Sequence, residues 1–171
     1  MTTPLIVTAE LPADVFTWVD GLRRAHFPPE RNQLSAHVTL FHALPAHVEE
    51  EVLELLGRIT KAPPPLARIT GLMKLGGGTA FAIESDAMVE CHGMIAERMH
   101  GLLTRQDVQP ARLHVTIQNK VSAQAARALQ DELRPGFSLV TFRFRGLGLY
   151  AYEGGPWRQI RVLPFRGKDS G

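Results

Sequence analysis

The sequence contains the tetrapeptide His-Val-Thr-Leu at residues 37–40 and the similar tetrapeptide His-Val-Thr-Ile at residues 114–117. In a β-strand, residues two apart point to the same face of the sheet. Each tetrapeptide therefore predicts an imidazole and a hydroxyl on one face and two aliphatic side chains on the other. If the two strands face each other, two histidines and two threonines meet in one cleft.

An internal repeat connects the two tetrapeptides, because positions 37 and 114 lie 77 residues apart. The same offset aligns identical residues elsewhere in the chain, namely Ile6 with Ile83, Arg68 with Arg145, and Gly71 and Leu72 with Gly148 and Leu149. Self-similarity at a fixed offset indicates a duplicated architecture. We therefore expect a single domain over residues 1–171, built from two related halves at about 4–75 and 79–152.

Composition limits the class of protein. The chain has 171 residues, of which 44% are hydrophobic and 21% are charged, so it is globular rather than disordered or fibrous. A net charge of +2 can attract an anionic ligand but is too small to indicate a protein that coats nucleic acid. The single cysteine, Cys91, excludes an intrachain disulfide and a cysteine-rich zinc site.

Targeting signals are not apparent in the sequence. The start of the chain lacks a basic region followed by an apolar one, and no segment reaches the length of about 18 apolar residues that a membrane span needs. We expect a cytoplasmic protein without a membrane partner, and a monomer.

Hydrophobic periodicity predicts the element order β-α-β-α-β-β-α-β-α-β-β. Residues 66–75 and 79–84 form the predicted central hairpin, since three glycines lie between them. Toward the end of the chain, residues 139–152 are predicted as one strand and residues 157–165 as another, separated by Gly and Pro.

Paired histidines and threonines suit phosphodiester hydrolysis without a metal. One neutral imidazole can take a proton from the attacking water while a protonated imidazole gives one to the leaving oxygen. An unperturbed pKa of about 6.5 makes histidine fit for either task. Hydroxyl groups nearby can hold the non-bridging oxygens of the phosphate. The structural alternative is that each histidine is only hydrogen-bonded on a solvated sheet face.

Paired His-x-Thr motifs on duplicated strands resemble those of the 2H phosphoesterase superfamily, which includes bacterial 2′,5′ RNA ligase-like proteins and cyclic nucleotide phosphodiesterases. The resemblance implies an α+β, bilobed and duplicated fold with two antiparallel sheets flanking a central cleft and helices on the outer faces. It implies catalytic roles for His37 and His114, phosphate-binding roles for Thr39 and Thr116, and no cofactor or metal. Which histidine is the acid and which the base stays open.

Residues near the motifs are further candidates for substrate binding. By strand parity, Phe41 shares the cleft face and can stack on a base, and Lys120 can pair with phosphate; the alternatives are a rim hydrophobe and a solvated lysine. Arg31 belongs with Arg23, Arg24 and His26 to a basic stretch that can steer an RNA end; the alternative is that these side chains are simply solvated. Tyr150 is a candidate contact, although core or edge packing is favoured. Parity places His42 on the side opposite His37.

Two functions from different classes follow from these residues. The first is a metal-independent phosphoesterase; the resemblance implies that it hydrolyses a 2′,3′-cyclic phosphate or a 2′,5′-type phosphodiester of RNA ends or small nucleotides. The second is a non-catalytic module that binds an RNA end or a phosphorylated ligand in the same cleft. A phosphate ester of a non-nucleotide metabolite is a third possible substrate. In each nucleotide case the expected partner is a nucleotide or an RNA end.

Overall fold

Residues 3–169, the part of the chain that this computed structural model describes, contain four α-helices and eight β-strands. The helices are α1 (Ala13–His26), α2 (Glu49–Ile59), α3 (Asp86–Arg98) and α4 (Ala123–Leu133). The strands are β1 (Leu5–Glu10), β2 (Val38–Leu44), β3 (Leu66–Leu75), β4 (Gly78–Glu84), β5 (His114–Gln118), β6 (Val140–Arg143), β7 (Gly146–Tyr152) and β8 (Trp157–Pro164). Short 3₁₀ turns at Pro29–Arg31 and Ala46–Val48 precede β2 and α2.

The strands form two antiparallel sheets of four, in the orders β2-β1-β7-β8 and β5-β4-β3-β6. This confirms the predicted α+β class with two antiparallel sheets. The 77-residue offset takes β2 to β5, β1 to β4 and β3 to β7, so the first three positions of the two orders correspond. Each sheet thus takes its third strand from the other half of the chain. We propose from this correspondence that the two halves share one structural plan.

One strand prediction is wrong, because residues 139–152 form two strands in different sheets. β6 pairs with β3, whereas β7 pairs with β1. The chain changes sheets at Phe144 and Arg145, whose amides donate to the carbonyls of Pro65 and Glu10. Phe144 is fully buried there. A continuous run of β-forming residues has no local signal for such a change of sheet.

The helices form where apolar side chains recur along one face. In α3 the buried residues are Met88, Cys91, His92 and Ile95, and the Ser85 side chain caps the helix by accepting from the Met88 amide. Each fully buried aliphatic side chain of this kind contributes about 1.5–3 kcal/mol. α3 and α4 pack on the second sheet, and α1 packs against β5.

β2 and β5 occupy the edges of their sheets, and the two strands contact each other. β5 begins with the tetrapeptide His-Val-Thr-Ile, and β2 begins at Val38, directly after His37 of the first tetrapeptide. The fold therefore joins the two sheets at the pair of strands that the sequence singles out.

Candidate active site

The contact between β2 and β5 brings parts of both motifs to one cavity. His37 immediately precedes β2, and His114 is the first residue of β5. Thr39 of the first motif and His114 of the second line the same cavity. The charge of His114 also acts on His37, whose pKa it helps to lower. The structure thus brings Thr39 and His114 to one cavity, whereas His37 lines a second one.

Both histidine rings are held in the same way. Nδ1 of His37 bonds the carbonyl of Ser35 at 2.8 Å, and Nδ1 of His114 bonds the carbonyl of Arg112 at 2.7 Å. A carbonyl oxygen only accepts, so Nδ1 carries the hydrogen in each ring. Nε2 of each ring is therefore the nitrogen left to accept or deliver a proton.

Each motif strand contains a β-bulge just after its threonine. Leu40 is the extra residue in β2, between the positions paired with Val7 and Thr8. Ile117 is the extra residue in β5, between the positions paired with Ala80 and Thr79. The two bulges are equivalent under the 77-residue offset. A bulge inserts one residue into the strand and so reverses the alternation of faces beyond it.

The bulge in β2 overturns the prediction that Phe41 faces the cleft. Phe41 is fully buried, and its ring stacks on His92 with the centroids 4.5 Å apart. It presents no surface on which a base could stack. His42 is exposed instead and lines the cavity of Thr39 and His114, contrary to the parity that places it opposite His37. Regular alternation alone could not reveal this exchange.

Two other candidates lie outside the cavity of Thr39 and His114 and outside a second, larger cavity that contains Tyr150. Lys120 is an exposed residue beyond the end of β5, in the left-handed region with φ of 64°, and it lines neither of the two cavities. The bulge at Ile117 and this turn end the alternation on which its predicted position depends. Arg31 is exposed on its 3₁₀ turn and likewise lines neither cavity.

Tyr150 lines the larger of the two cavities, which has a volume of about 690 Å³. Its hydroxyl donates to the Glu10 carboxylate, at 3.1 Å from the nearer oxygen. Burial and the charge of Glu10 raise the pKa of Tyr150 to about 12, so the phenol is neutral. Phe16 and Trp157 line the same cavity. This cavity falls within the range of about 300–1,000 Å³ that is usual for small-molecule sites.

His37 also lines the larger cavity, where it lies against an aromatic ring. Its ring is 4.6 Å from that of Trp157, centroid to centroid. Burial, opposed by the hydrogen bond to Ser35 and assisted by the charges of Arg23 and His114, lowers the pKa of His37 to about 4. The imidazole of His37 is therefore neutral at pH 7.

Arg23 is a buried basic residue that the sequence interpretation left within a general basic stretch. Only 5% of it is exposed. Its Nη1 donates to the backbone carbonyl of Thr116 at 3.0 Å, and its Nε donates to Asn32 Oδ1 at 2.9 Å. Arg23 continues the helical spacing of the buried residues Val15 and Val19, and this periodicity could have identified it as inward-facing.

Residues 3–169 contain no group of three His, Cys, Asp or Glu side chains placed so as to hold a metal ion. No helix among these residues combines the length and the apolar character that crossing a bilayer requires.

A fold with two His-x-Thr motifs on the edge strands of paired antiparallel sheets defines a recognisable class of protein. Residues 11–156 match the family model of the 2′-5′ RNA ligase superfamily, the 2H phosphoesterases, and the chain belongs to this family. The predicted resemblance is thereby confirmed. Membership supports a phosphoesterase-type function and hence an enzyme.

Solved structures agree with this assignment of the fold. TT0787 of Thermus thermophilus is 17% identical, with a TM-score of 0.65 over 99% of this chain and 100% of that one. E. coli LigT complexed with 3′-AMP is 16% identical, with a TM-score of 0.61 over 96% of this chain and 99% of that one. E. coli LigT complexed with NADP⁺ matches equally well, at 16% identity, a TM-score of 0.61 and the same coverage. The search of curated proteins gives no match.

Proposed function

We propose that the protein is a metal-independent phosphoesterase that opens a 2′,3′-cyclic phosphate or cleaves a 2′,5′-type phosphodiester of an RNA end or small nucleotide. The observation that carries this proposal is the matched pair of imidazoles. Each is held through Nδ1 by the carbonyl two residues earlier, and each keeps Nε2 for proton transfer. Family membership supports the phosphoesterase chemistry.

In this reaction His37 is the general base and His114 is the general acid. The lowered pKa of His37 keeps its Nε2 unprotonated, so it can take a proton from water as the water oxygen bonds to phosphorus. As the bond from phosphorus to the ester oxygen breaks, His114 gives a proton to that leaving oxygen. The products are a phosphomonoester and a free hydroxyl when the substrate is cyclic.

The threonines and Arg23 stabilise the charge on the phosphate. The hydroxyls of Thr39 and Thr116 donate to the non-bridging oxygens as negative charge develops. Arg23 is held by the carbonyl of Thr116, so its positive charge lies beside the second motif. Buried charges act over low-dielectric surroundings and are therefore more effective than exposed ones.

The larger cavity is the proposed site of the nucleoside. Its volume of about 690 Å³ and its aromatic side chains Phe16, Tyr150 and Trp157 suit a base and a ribose. His37 shares this lining, so the proposed nucleoside site adjoins the reacting phosphate. The crystallisation of LigT with 3′-AMP and with NADP⁺ supports a nucleotide as substrate.

The test is hydrolysis of a panel of 2′,3′-cyclic nucleotides, 2′,5′-linked dinucleotides and ADP-ribose 1″,2″-cyclic phosphate. Replacing His37 or His114 with Ala is expected to lower turnover about 10²–10⁴-fold while the circular dichroism spectrum is unchanged. The control is His47→Ala, an exposed histidine outside both cavities. EDTA is expected to leave the rate unaltered.

Wild-type rates in both histidine variants would overturn the proposed mechanism, and loss of activity in EDTA would overturn its metal-independent part. A tight complex in which every ligand of the panel survives prolonged incubation would support the binding module instead.

A further inference from the structure

The smaller cavity, of about 280 Å³, has a polar lining that the proposed reaction uses only in part. Besides Thr39 and His114, it is lined by His42, His92 and Arg112 and by two glutamines, Gln106 and Gln109. Its volume lies below the usual range for a whole small-molecule ligand. It is nevertheless several times the roughly 30 Å³ that one water molecule occupies in the liquid. The cavity therefore suits one compact polar group.

His42 is held in this cavity by a buried carboxylate. Its Nδ1 lies 3.0 Å from Asp107 Oδ1, and Asp107 is only 3% exposed. The same carboxylate accepts the backbone amides of His42 and Ala43 at 2.9 Å. Burial alone would raise the pKa of Asp107, but the hydrogen bonds from the His42 ring and from the two amides outweigh it and lower that pKa. Asp107 is therefore ionised and fixes the ring.

The ring orientation leaves Nε2 of His42 for a ligand. Because Nδ1 faces Asp107, Nε2 lies on the opposite side of the ring, and the side chain is 44% exposed. A protonated imidazole donates at this nitrogen. Within residues 3–169, the only side chain that bonds the His42 ring is Asp107, so no protein group takes the position at Nε2.

The charge of the lining favours an anion. Among the described residues that line this cavity, Asp107 is the single carboxylate, and three donors already occupy its oxygens. Arg112 is an exposed residue of the lining, and a guanidinium is well suited to binding phosphate. His92 is neutral in this lining, because burial lowers its pKa. The available donors are thus Arg112, the glutamine amides and, in its protonated form, His42.

We propose that the smaller cavity is a subsite for a second phosphate group of the substrate, bound by Nε2 of His42 and by the Arg112 side chain. The inference rests on the proposed function, which places the nucleoside in the larger cavity and the reacting phosphate at His37 and His114. The second phosphoryl group is then the one on the 5′ oxygen of the same nucleoside. The preferred substrate class is a cyclic phosphate whose nucleoside also carries a 5′ phosphoryl group, as at the end of an RNA chain.

The kinetic test compares adenosine 2′,3′-cyclic phosphate with the same compound bearing a 5′ phosphate. We expect wild-type kcat/KM to be at least about tenfold higher for the 5′-phosphorylated substrate, as for a hydrogen bond to a charged group. His42→Gln and Arg112→Gln are each expected to reduce this ratio toward one. His47→Gln is the matched control and is expected to keep both the ratio and the rates.

The binding test does not depend on turnover. Calorimetry with 3′-AMP and with adenosine 3′,5′-bisphosphate should show tighter binding of the bisphosphate by the wild type, and His42→Gln should lose that difference. This result would support the subsite even if no cyclic phosphate were hydrolysed, so the two proposals can fail separately. Equal affinity of the wild type for both ligands, or an unchanged difference in both His42→Gln and Arg112→Gln, would overturn the subsite.

Discussion

The two motif strands have the same internal geometry and different surroundings. In both, the histidine Nδ1 bonds a carbonyl two residues back, and a bulge follows the threonine. His37, however, contacts Trp157 and lines the larger cavity, whereas His114 lines the smaller one beside His42 and Arg112. A duplicated motif can therefore give unlike chemical roles when residues outside the motif differ. The repeat positions the groups, and the surroundings distinguish them.

The surroundings of the two motifs differ because some residues have no chemically similar counterpart in the other half. Trp157 begins β8, which follows both repeated segments. Under the 77-residue offset, buried Arg23 corresponds to exposed His100, and buried Asp107 corresponds to exposed Glu30. Each half thus contributes one buried charged residue, and the other half has an exposed residue at the equivalent position.

The largest expected effect separates the two histidines by leaving group. On a cyclic phosphate, His37→Ala and His114→Ala should each lose about 10²–10⁴-fold in kcat/KM. On bis(p-nitrophenyl) phosphate, whose nitrophenolate leaves without a proton, His114→Ala should lose much less, because the acid is not needed there. His37→Ala should keep its full loss. Steady-state kinetics would reverse the assignment if His37→Ala were the variant that recovers.

A second comparison concerns the threonines. Thr39→Val and Thr116→Val should each lower kcat/KM by about 10–150-fold, the usual range for a hydrogen bond to a charged group. Serine at either position should restore most of the activity, since it keeps the hydroxyl. Thr141→Val, which changes an exposed threonine of β6, is the control. Loss in only one of the two threonine variants would contradict equivalent roles.

Arg23 tests the electrostatic difference between the halves. On the acid side of the pH profile, wild-type kcat/KM should fall as the pH drops through about 4, because protonated His37 cannot accept a proton. Arg23→Gln removes a charge that lowers this pKa, so the acid limb should move to higher pH. The free energy of unfolding of this variant, measured in urea, should be lower by about 1–3 kcal/mol, because the Thr116 carbonyl loses its hydrogen-bond donor.

Arg24→Gln is the matched control on the same helix. Arg24 is exposed and pairs with Asp20 at 3.5 Å, so its replacement should lower the free energy of unfolding by at most about 1 kcal/mol. The acid limb of the pH profile should stay where it is in the wild type. Equal shifts of the acid limb in both arginine variants would remove the special role of Arg23.

The smallest expected effect is at Lys120, where the two halves differ in backbone conformation. Lys120 has φ of 64°, which glycine adopts without the strain of a side chain. Lys120→Gly should raise the free energy of unfolding by about 0.5 kcal/mol, the relief of strain being partly offset by the flexibility of glycine in the unfolded chain. Turnover should change less than about twofold, since exposed surface charges interact weakly through solvent. A tenfold loss would place Lys120 at the substrate.

The sequence was sufficient for the parts of the site that depend on local periodicity. The His-Val-Thr pattern predicts the motif strands, and the offset between residues 37 and 114 predicts their equivalence. The sequence was insufficient where hydrogen bonds from distant segments determine the backbone conformation. Asp107 binds the His42 and Ala43 amides in the irregular part of β2, and no nearby residue indicates this. The bulge in β2 then buries Phe41 and exposes His42.

The exchange of third strands between the sheets has a consequence for how the molecule is assembled. A polypeptide cut in the turn between β3 and β4 would give two fragments with misplaced strands: the first would hold β3 of the second sheet, and the second would hold β7 and β8 of the first sheet. Neither fragment could complete a four-stranded layer alone, and both would have to associate to fold. For the same reason the chain passes from one sheet to the other twice, between β2 and β3 and again between β6 and β7, so the two sheets are not separate segments of the chain.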